Sequence, residues 1–368
     1  MVVKLGDICS FQSGGTPSRR NPEYFSGNIP WITTTALNGK KIGRNDAVAL
    51  ITEQAVAESA AKIVPAGSIM VGTRVGVGKV AINTEVMSTS QDIISLLNID
   101  ENVWDKEFLC KFLQSKSFFL NSQARGATIK GIKIDVLSEL DLPVMSKEEQ
   151  THISEIVDNV KKLISIRQQQ LEKLDELVKA RFVEMFGDPL TNPKGYQEKY
   201  LSEIAEYWNG LTYKPDDVAN EGTIVLRSSN IQNASLDFAD TVRVNCKIGT
   251  KKYVQDNDIL MCSRNGSAKL VGKVALIKEL SEPMSFGAFM MIIRSAYYPF
   301  LMTYFQLPAF RSQITTGATT TINQITGRML DNVKLAIPDI ESVKDFSAFT
   351  NQVDKSKAVE GLYSSLCL

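Results

Sequence analysis

Two stretches of the chain follow one pattern: SIMVGTRVGVGKVAI at residues 68–82 and DILMCSRNGSAKLVGKVALI at residues 258–277. Each reads as a buried strand, a turn with one arginine, and GKVA at the entry to another strand. The arginines, Arg74 and Arg264, are 190 residues apart, and the second stretch has four extra residues after its arginine. A sequence repeat with a loop insertion predicts two copies of one domain.

Further matches keep the same order along the chain. They pair residues 4–8 with 200–204, 29–38 with 223–232, and 125–128 with 316–319. Runs of Val, Ile and Thr between turn residues predict strands, and residues 107–123 and 298–313 have matching helical patterns. We therefore predict an α+β fold with two pseudo-symmetric domains, at residues 1–145 and 188–339.

A different pattern separates the copies. Residues 146–186 contain no Gly or Pro and repeat apolar side chains every three or four positions, which predicts a long helix. Ser146 and Glu149 form a capping-box pattern, and the predicted helical region ends at residue 187. A second helix is predicted at residues 340–368, and the two helices are expected to form an antiparallel coiled coil; alternatively, each only caps its own domain. The predicted helix-interface residues are Ile153, Ile156, Val160, Leu163, Leu171, Leu174, Val178, Phe182, Phe346, Phe349 and Val353.

Composition limits the function classes. The 368 residues include 41 Lys plus Arg and 41 Asp plus Glu, and this balance excludes a protein that coats nucleic acid by net charge. The start has no apolar signal region, and the longest apolar run, 286–293, is too short to cross a bilayer, so we expect a soluble protein. An odd number of cysteines without a CxxC pair favours the reducing cytoplasm: Cys9, Cys110, Cys246, Cys262 and Cys367.

Motifs that suggest an enzyme are incomplete. His152 is the only histidine and lies in a predicted helix. GVGK at residues 76–79 lacks the first glycine of a phosphate-binding loop, where Thr73 stands, and Val80 replaces its Ser or Thr. NPEY at residues 21–24 lacks the second proline of a methyltransferase NPPY loop. We predict no catalytic residue, metal site or cofactor.

The matched loops are instead polar, basic and poor in acids. Lys, Thr and backbone amides bind phosphates, whereas Arg, Asn and Gln read base edges in the major groove. These loops therefore predict a DNA interface in each copy; the alternative is that they are ordinary solvated loops. The candidate DNA-binding residues are Arg19, Arg20, Thr33, Thr34, Thr35, Arg74, Lys79, Arg125, Lys130, Arg227, Ser228, Asn230, Arg264, Asn265, Lys269, Lys273, Thr320 and Asn323.

The whole chain resembles the specificity subunits of type I restriction–modification systems. The resemblance rests on KLGDICSFQSGGTP, IPWITTTALN, AGSIMVGTRVGVGK, and LDLPVMSKEEQTHISEIVDNV leading into LEKLDELVKARFVEMFGDP. It implies two target recognition domains that read a split DNA sequence, on a chain that is not an enzyme. It also implies docking of two methyltransferase subunits, which bind S-adenosylmethionine and flip the target base. Restriction–translocase subunits, which use ATP and Mg, can then join.

The second predicted helix departs from the family pattern. At about 25 residues it is shorter than the family's usual matching arm, and Gly361 interrupts it. We expect a weaker intramolecular coil, with Leu171, Leu174 and Leu177 available to a partner. The alternative is a truncated or orphan DNA-binding scaffold without an active methyltransferase partner. The sequence does not reveal which bases are read.

Overall fold

In the computed structural model, the described backbone covers residues 1–126, 131–315 and 324–365. Side chains are described for the same residues except 315 and 358–365. The chain divides into two compact units, Met1–Leu163 and Ile164–Leu368. Both are mixed α+β, which confirms the predicted fold class.

The first unit is built on short, mostly antiparallel strands. One sheet has the order β2-β10-β7-β8-β4, a second has the order β5-β3-β9-β6, and β1 pairs with β11. The strands are β1 Val2–Lys4, β2 Ser10–Ser13, β3 Ile29–Ile32, β4 Lys41–Ile42, β5 Ala49–Ile51, β6 Ile63–Val64, β7 Ile69–Gly72, β8 Val80–Asn83, β9 Met87–Thr89, β10 Ile93–Leu97 and β11 Asp141–Pro143. The helices are α1 Glu53–Glu58, α2 Lys106–Ser115, α3 Ser117–Gln123, α4 Ile134–Ser138 and α5 Lys147–Phe186, whose second half belongs to the second unit.

The second unit repeats this plan. Its larger sheets have the orders β13-β22-β19-β20 and β14-β18-β15-β21, β12 pairs with β23, and β16 pairs with β17. The strands are β12 Gln197–Tyr200, β13 Glu206–Asn209, β14 Val218–Ala219, β15 Thr223–Leu226, β16 Ile231–Gln232, β17 Ser235–Leu236, β18 Arg243–Val244, β19 Ile259–Cys262, β20 Val274–Leu276, β21 Met284–Phe286, β22 Met290–Arg294 and β23 Lys334–Ile337. The helices are α6 Tyr298–Tyr304, α7 Pro308–Thr315, α8 Gly327–Asp331 and α9 Ile340–Ser365.

The sequence matches fall on equivalent elements. Residues 4–8 and 200–204 each end a first strand and enter a 3-10 turn, at Leu5–Asp7 and Leu201–Glu203. In the same way β3 matches β15, and the hairpin β7–β8 matches β19–β20. The predicted duplication is therefore confirmed. The fourth match, 125–128 with 316–319, extends outside the described residues.

The helix α5 begins at a capping box. The Glu149 amide donates to Ser146 Oγ at 3.2 Å, and the Ser146 amide donates to Glu149 Oε2 at 2.8 Å. The helix covers 40 residues, one residue inside the predicted range at each end. These two hydrogen bonds satisfy amide groups that the first helical turn would leave unpaired, so they fix where the helix starts.

Replacing Ser146 by alanine removes the acceptor of this cap. We expect the free energy of unfolding to fall by about 1 kcal/mol, measured by urea denaturation of the full chain with circular dichroism. Ser146→Thr keeps the acceptor and should stay close to the parent protein. Equal midpoints for the alanine and threonine variants would show that the cap does not stabilise the helix.

The first half of α5 contacts its unit through polar side chains. Gln150 is fully buried; its Nε2 donates to the Val103 carbonyl at 3.0 Å, and its Oε1 accepts from the Asp105 amide at 2.9 Å. Lys111 pairs with Asp158 at 3.0 Å. Four apolar side chains of this half are 36% to 62% exposed: Ile153, Ile156, Val160 and Leu163. The polar contacts, and not these side chains, therefore hold the first half of α5 against the first unit.

The second half of α5 is held by an aromatic cluster. The Phe182 ring lies 5.0 Å from Phe300 and 5.7 Å from Phe346 of α9, and Phe186 lies 5.4 Å from Phe346. Further along, Lys357 of α9 bonds Asp175 of α5 at 2.5 Å. The contacts pair a later residue of α5 with an earlier residue of α9, and an earlier residue of α5 with a later residue of α9. The two helices are therefore antiparallel, as predicted. The remaining predicted interface residues are buried or half-buried: Leu171, Leu174, Val178, Phe349 and Val353.

Candidate DNA interface

The arginine turn of the first unit joins β7 to β8. The Gly72 amide donates to the Lys79 carbonyl at 2.8 Å, and the Gly78 amide donates to the Gly72 carbonyl at 2.9 Å. Gly78 has φ +81°, and a Cβ there would lie 2.8 Å from Ser117 Cα, so a side chain does not fit. This tight closure leaves Arg74 and Lys79 exposed.

The second unit closes its turn with the same hydrogen bonds. The Cys262 amide donates to the Lys273 carbonyl at 2.9 Å, and the Gly272 amide donates to the Cys262 carbonyl at 2.8 Å. The four extra residues are accommodated within this longer loop, between β19 and β20. Arg264 and Lys269 are exposed, and Lys273 is half-buried.

Each turn is fastened to a second basic segment. The Ile132 amide donates to the Thr73 carbonyl at 2.8 Å, and the Ile325 amide donates to the Ser263 carbonyl at 2.7 Å. In the first unit, these contacts border a cleft of about 620 Å³ whose lining includes Arg74, Gln123, Arg125, Lys133 and Asp135. Arg74 and Arg125 are 51 positions apart along the chain and line one cleft.

A cleft of about 630 Å³ lies beside the arginine turn of the second unit. Asn265 Nδ2 donates to Ser228 Oγ at 3.1 Å, and the Arg227 guanidinium pairs with Asp240 at 2.8 Å. The Arg264 guanidinium lies 5.3 Å from the centre of the Phe289 ring. The lining includes four predicted residues, Arg227, Ser228, Arg264 and Asn265. It also includes Tyr213, Asp240 and Phe289, which no sequence pattern indicates.

Phe289 follows the buried strand β21 and precedes the buried strand β22. In the sequence it reads as part of one apolar run, yet it is 59% exposed. Tyr213 and Asp240 lie outside the matched stretches, so the repeat gave no signal for them.

Other candidate residues lie elsewhere. Asn230 is fully buried and donates through Nδ2 to the carbonyls of Asp237 and Asp240, so its side chain holds a turn together. Thr34 is also buried, so neither Asn230 nor Thr34 is exposed to a DNA ligand. The hydroxyls of Thr33 and Thr35 bond each other at 2.8 Å. Arg19 and Arg20 are exposed and line neither cleft, whereas Lys130, Thr320 and Asn323 lie outside the described residues.

The described residues that line the two clefts offer charge and hydrogen bonds and include no cysteine, and two cysteines outside the clefts are not activated. Burial raises the pKa of the Cys9 thiol to about 12 and that of Cys110 to about 11, so both are protonated at neutral pH. Among the described residues, no group of three or more His, Cys, Asp or Glu side chains is arranged to hold a metal ion. None of the described helices combines the length and apolar character that a membrane span requires.

Comparison with known proteins identifies the class. A family model described as the type I restriction modification DNA specificity domain matches residues 1–176 and 193–361, one match in each repeat. The class is therefore a DNA specificity subunit, itself non-catalytic and without a cofactor of its own. The chain belongs to the specificity (S) subunit family of type I restriction–modification systems.

Two curated relatives come from Methanocaldococcus jannaschii. The type I restriction enzyme MjaIX specificity subunit is 31% identical over 227 residues, which cover 57% of this chain and 52% of the relative. The MjaVIII specificity subunit is 22% identical over 380 residues, covering 96% and 85%. The match thus spans about half the length of the first relative and most of the second.

Two solved structures have a similar fold. An S subunit of a type I restriction–modification system from M. genitalium aligns with a TM-score of 0.51 at 14% identity, covering all of this chain and 94% of that chain. A structure from work on complex assembly and conformational transition of the type I R-M system aligns with a TM-score of 0.63 at 16% identity, covering 99% and 93%. At these identities the likeness concerns the fold.

Proposed function

We propose that each repeat of this chain reads one half of a bipartite DNA target in the major groove. One observation carries the proposal: both repeats present the same hydrogen-bonded arginine turn beside a second polar segment, but with different side chains around it. A shared scaffold with different loops suits the reading of two different short sequences.

The side chains in each cleft and on the adjoining arginine turn suit the two parts of such an interface. Arginine bonds guanine O6 and N7, and asparagine bonds adenine N6 and N7, so Arg74, Arg264 and Asn265 are the proposed base readers. Lysines bind phosphates without regard to sequence, a role that suits Lys79 and Lys269. Arg227 is engaged by Asp240 in the free protein, and a phosphate would compete with that carboxylate for it.

We propose further that the long helices set the gap between the two half-targets and dock methyltransferase subunits. The support is the exposed apolar side of α5, where Ile153, Ile156, Val160 and Leu163 lie. The methyltransferase subunits, two in the proposed complex, would supply S-adenosylmethionine chemistry, and restriction subunits would supply ATP- and Mg-dependent cleavage.

The four described cysteines are free thiols, which agrees with a cytoplasmic location.

The proposal is tested by co-expressing the full chain with a matching methyltransferase subunit and mapping methyladenine across the host genome. We expect a two-part motif with a fixed gap. Arg74→Ala and Arg264→Ala serve as matched variants, because each should alter only its own half of the motif. A complex that forms but methylates no motif would contradict the proposal and favour an orphan DNA-binding scaffold.

A further inference from the structure

The two units differ at one structurally matched position next to the arginine turn. Phe289 lines the cleft of the second unit, whereas Asp92 lies beside the turn of the first unit and is not among the residues that line its cleft. The Thr73 amide donates to the Asp92 carbonyl at 2.8 Å in the first unit, and the Ser263 amide donates to the Phe289 carbonyl at 3.0 Å in the second. Asp92 comes directly before β10, and Phe289 comes directly before the matching strand β22. The residue beside each arginine turn is therefore a carboxylate in one repeat and a phenyl ring in the other.

Phe289 is placed for contact with a ligand. It is 59% exposed, although the next four residues, Met290 to Ile293, are buried. The Arg264 guanidinium lies over its ring, and no residue in the described part of the chain hydrogen-bonds that guanidinium. Stacking on the ring face holds the cation in place and leaves its N–H groups free.

Asp92 offers a different chemistry at the same place. It is half-buried, and its carboxylate makes no hydrogen bond or ion pair within residues 1–126, 131–315 and 324–365. An ionised carboxylate only accepts hydrogen bonds, so it favours a base that donates. In the major groove that base is cytosine, through N4, whereas a phenyl ring contacts the thymine methyl group.

We propose that Phe289 and Asp92 are specificity-determining residues for the two half-targets. Phe289 contacts a thymine methyl group next to the base pair that Arg264 reads, and Asp92 accepts a hydrogen bond from a cytosine amino group in the other half. This assignment rests on the function proposed above and adds the bases that the two halves discriminate.

The test uses the full chain in complex with its methyltransferase subunit. Phe289→Ala should lower the preference for thymine at one position of the second half-target by about fourfold, the effect of one buried methyl group. Phe289→Leu retains an apolar contact and should keep most of the preference. The half-target of the first unit is the internal control and should not change in either variant.

A base substitution tests the methyl contact directly. Deoxyuridine at the mapped thymine removes only the methyl group and should slow methylation by the parent complex about fourfold. The Phe289→Ala complex should not distinguish the two bases. If Phe289→Ala and Phe289→Leu both reduce methylation of all sequences alike, or if the parent complex ignores the methyl group, the assignment of Phe289 is wrong.

The first unit is tested in the same assay with Asp92→Asn and Asp92→Phe. Asp92→Phe removes the acceptor and should reduce the preference for cytosine at one position of the first half-target about tenfold. Asp92→Asn keeps an accepting Oδ1 and should reduce that preference less. Neither variant should change the second half. Unchanged motifs in these variants would overturn the assignment of Asp92. Absence of any motif with the parent complex would instead contradict the proposed function, so the two failures are distinguishable.

Discussion

Replacing Phe182 by alanine should lower the free energy of unfolding by about 3–5 kcal/mol. The side chain is fully buried, and its ring contacts Phe186, Phe300 and Phe346 at centroid distances of 5.0 to 5.7 Å. Its removal leaves a cavity at the point where α5, α6 and α9 meet, and it also removes favourable edge-to-face contacts. The measurement is urea unfolding of the full chain, followed by far-ultraviolet circular dichroism.

Val183→Ala is the matched control for this prediction. Val183 is the next residue of the same helix and is 54% exposed, so its truncation should change stability by no more than about 0.5 kcal/mol. Equal unfolding midpoints for the two variants would contradict the view that the aromatic cluster anchors α5 to the second unit.

Replacing Arg264 by alanine should reduce discrimination at one base pair of the second half-target by about 1–3 kcal/mol. The guanidinium is exposed and stacked on Phe289, with its donors free among the described residues, which is the arrangement a guanine contact requires. The measurement is the ratio of methylation rates on the cognate site and on sites changed at one base pair.

Lys269→Ala, in the same loop, separates base reading from phosphate binding. It should weaken methylation of all sequences alike and reduce the salt dependence of binding by one phosphate contact. If Arg264→Ala behaves like Lys269→Ala, with an unchanged motif, then Arg264 binds a phosphate and is not a base reader.

Much of this fold could be predicted because the repeated turns and helix caps are formed by residues that are close together in the sequence. The turns around Arg74 and Arg264 close through backbone hydrogen bonds at Gly78 and Gly272. Each of these glycines begins the sequence GKVA, which is present in both copies. The start of α5 was predictable for the same reason, since the cap at Ser146 involves residues three apart.

The sequence predicts less of the candidate site, because burial depends on contacts between distant segments. Asn230 is a residue type that often contacts DNA bases, but its side-chain amide donates hydrogen bonds to two backbone carbonyls inside the second unit. Phe289 is an apolar residue type that is usually found in a core, but here its side chain is exposed. Gln150 is polar but fully buried, because its amide group bonds backbone groups that would otherwise be unpaired.

The first and last strands of each unit lie side by side: Val2 is opposite Pro143, and Gln197 is opposite Ile337. The chain therefore enters and leaves each repeat at one place, next to where the helices α5 and α9 begin. Insertions in the arginine turns, such as the four extra residues after Arg264, leave this closure intact. Recognition can thus diversify in evolution without rebuilding the helical scaffold on which assembly would depend.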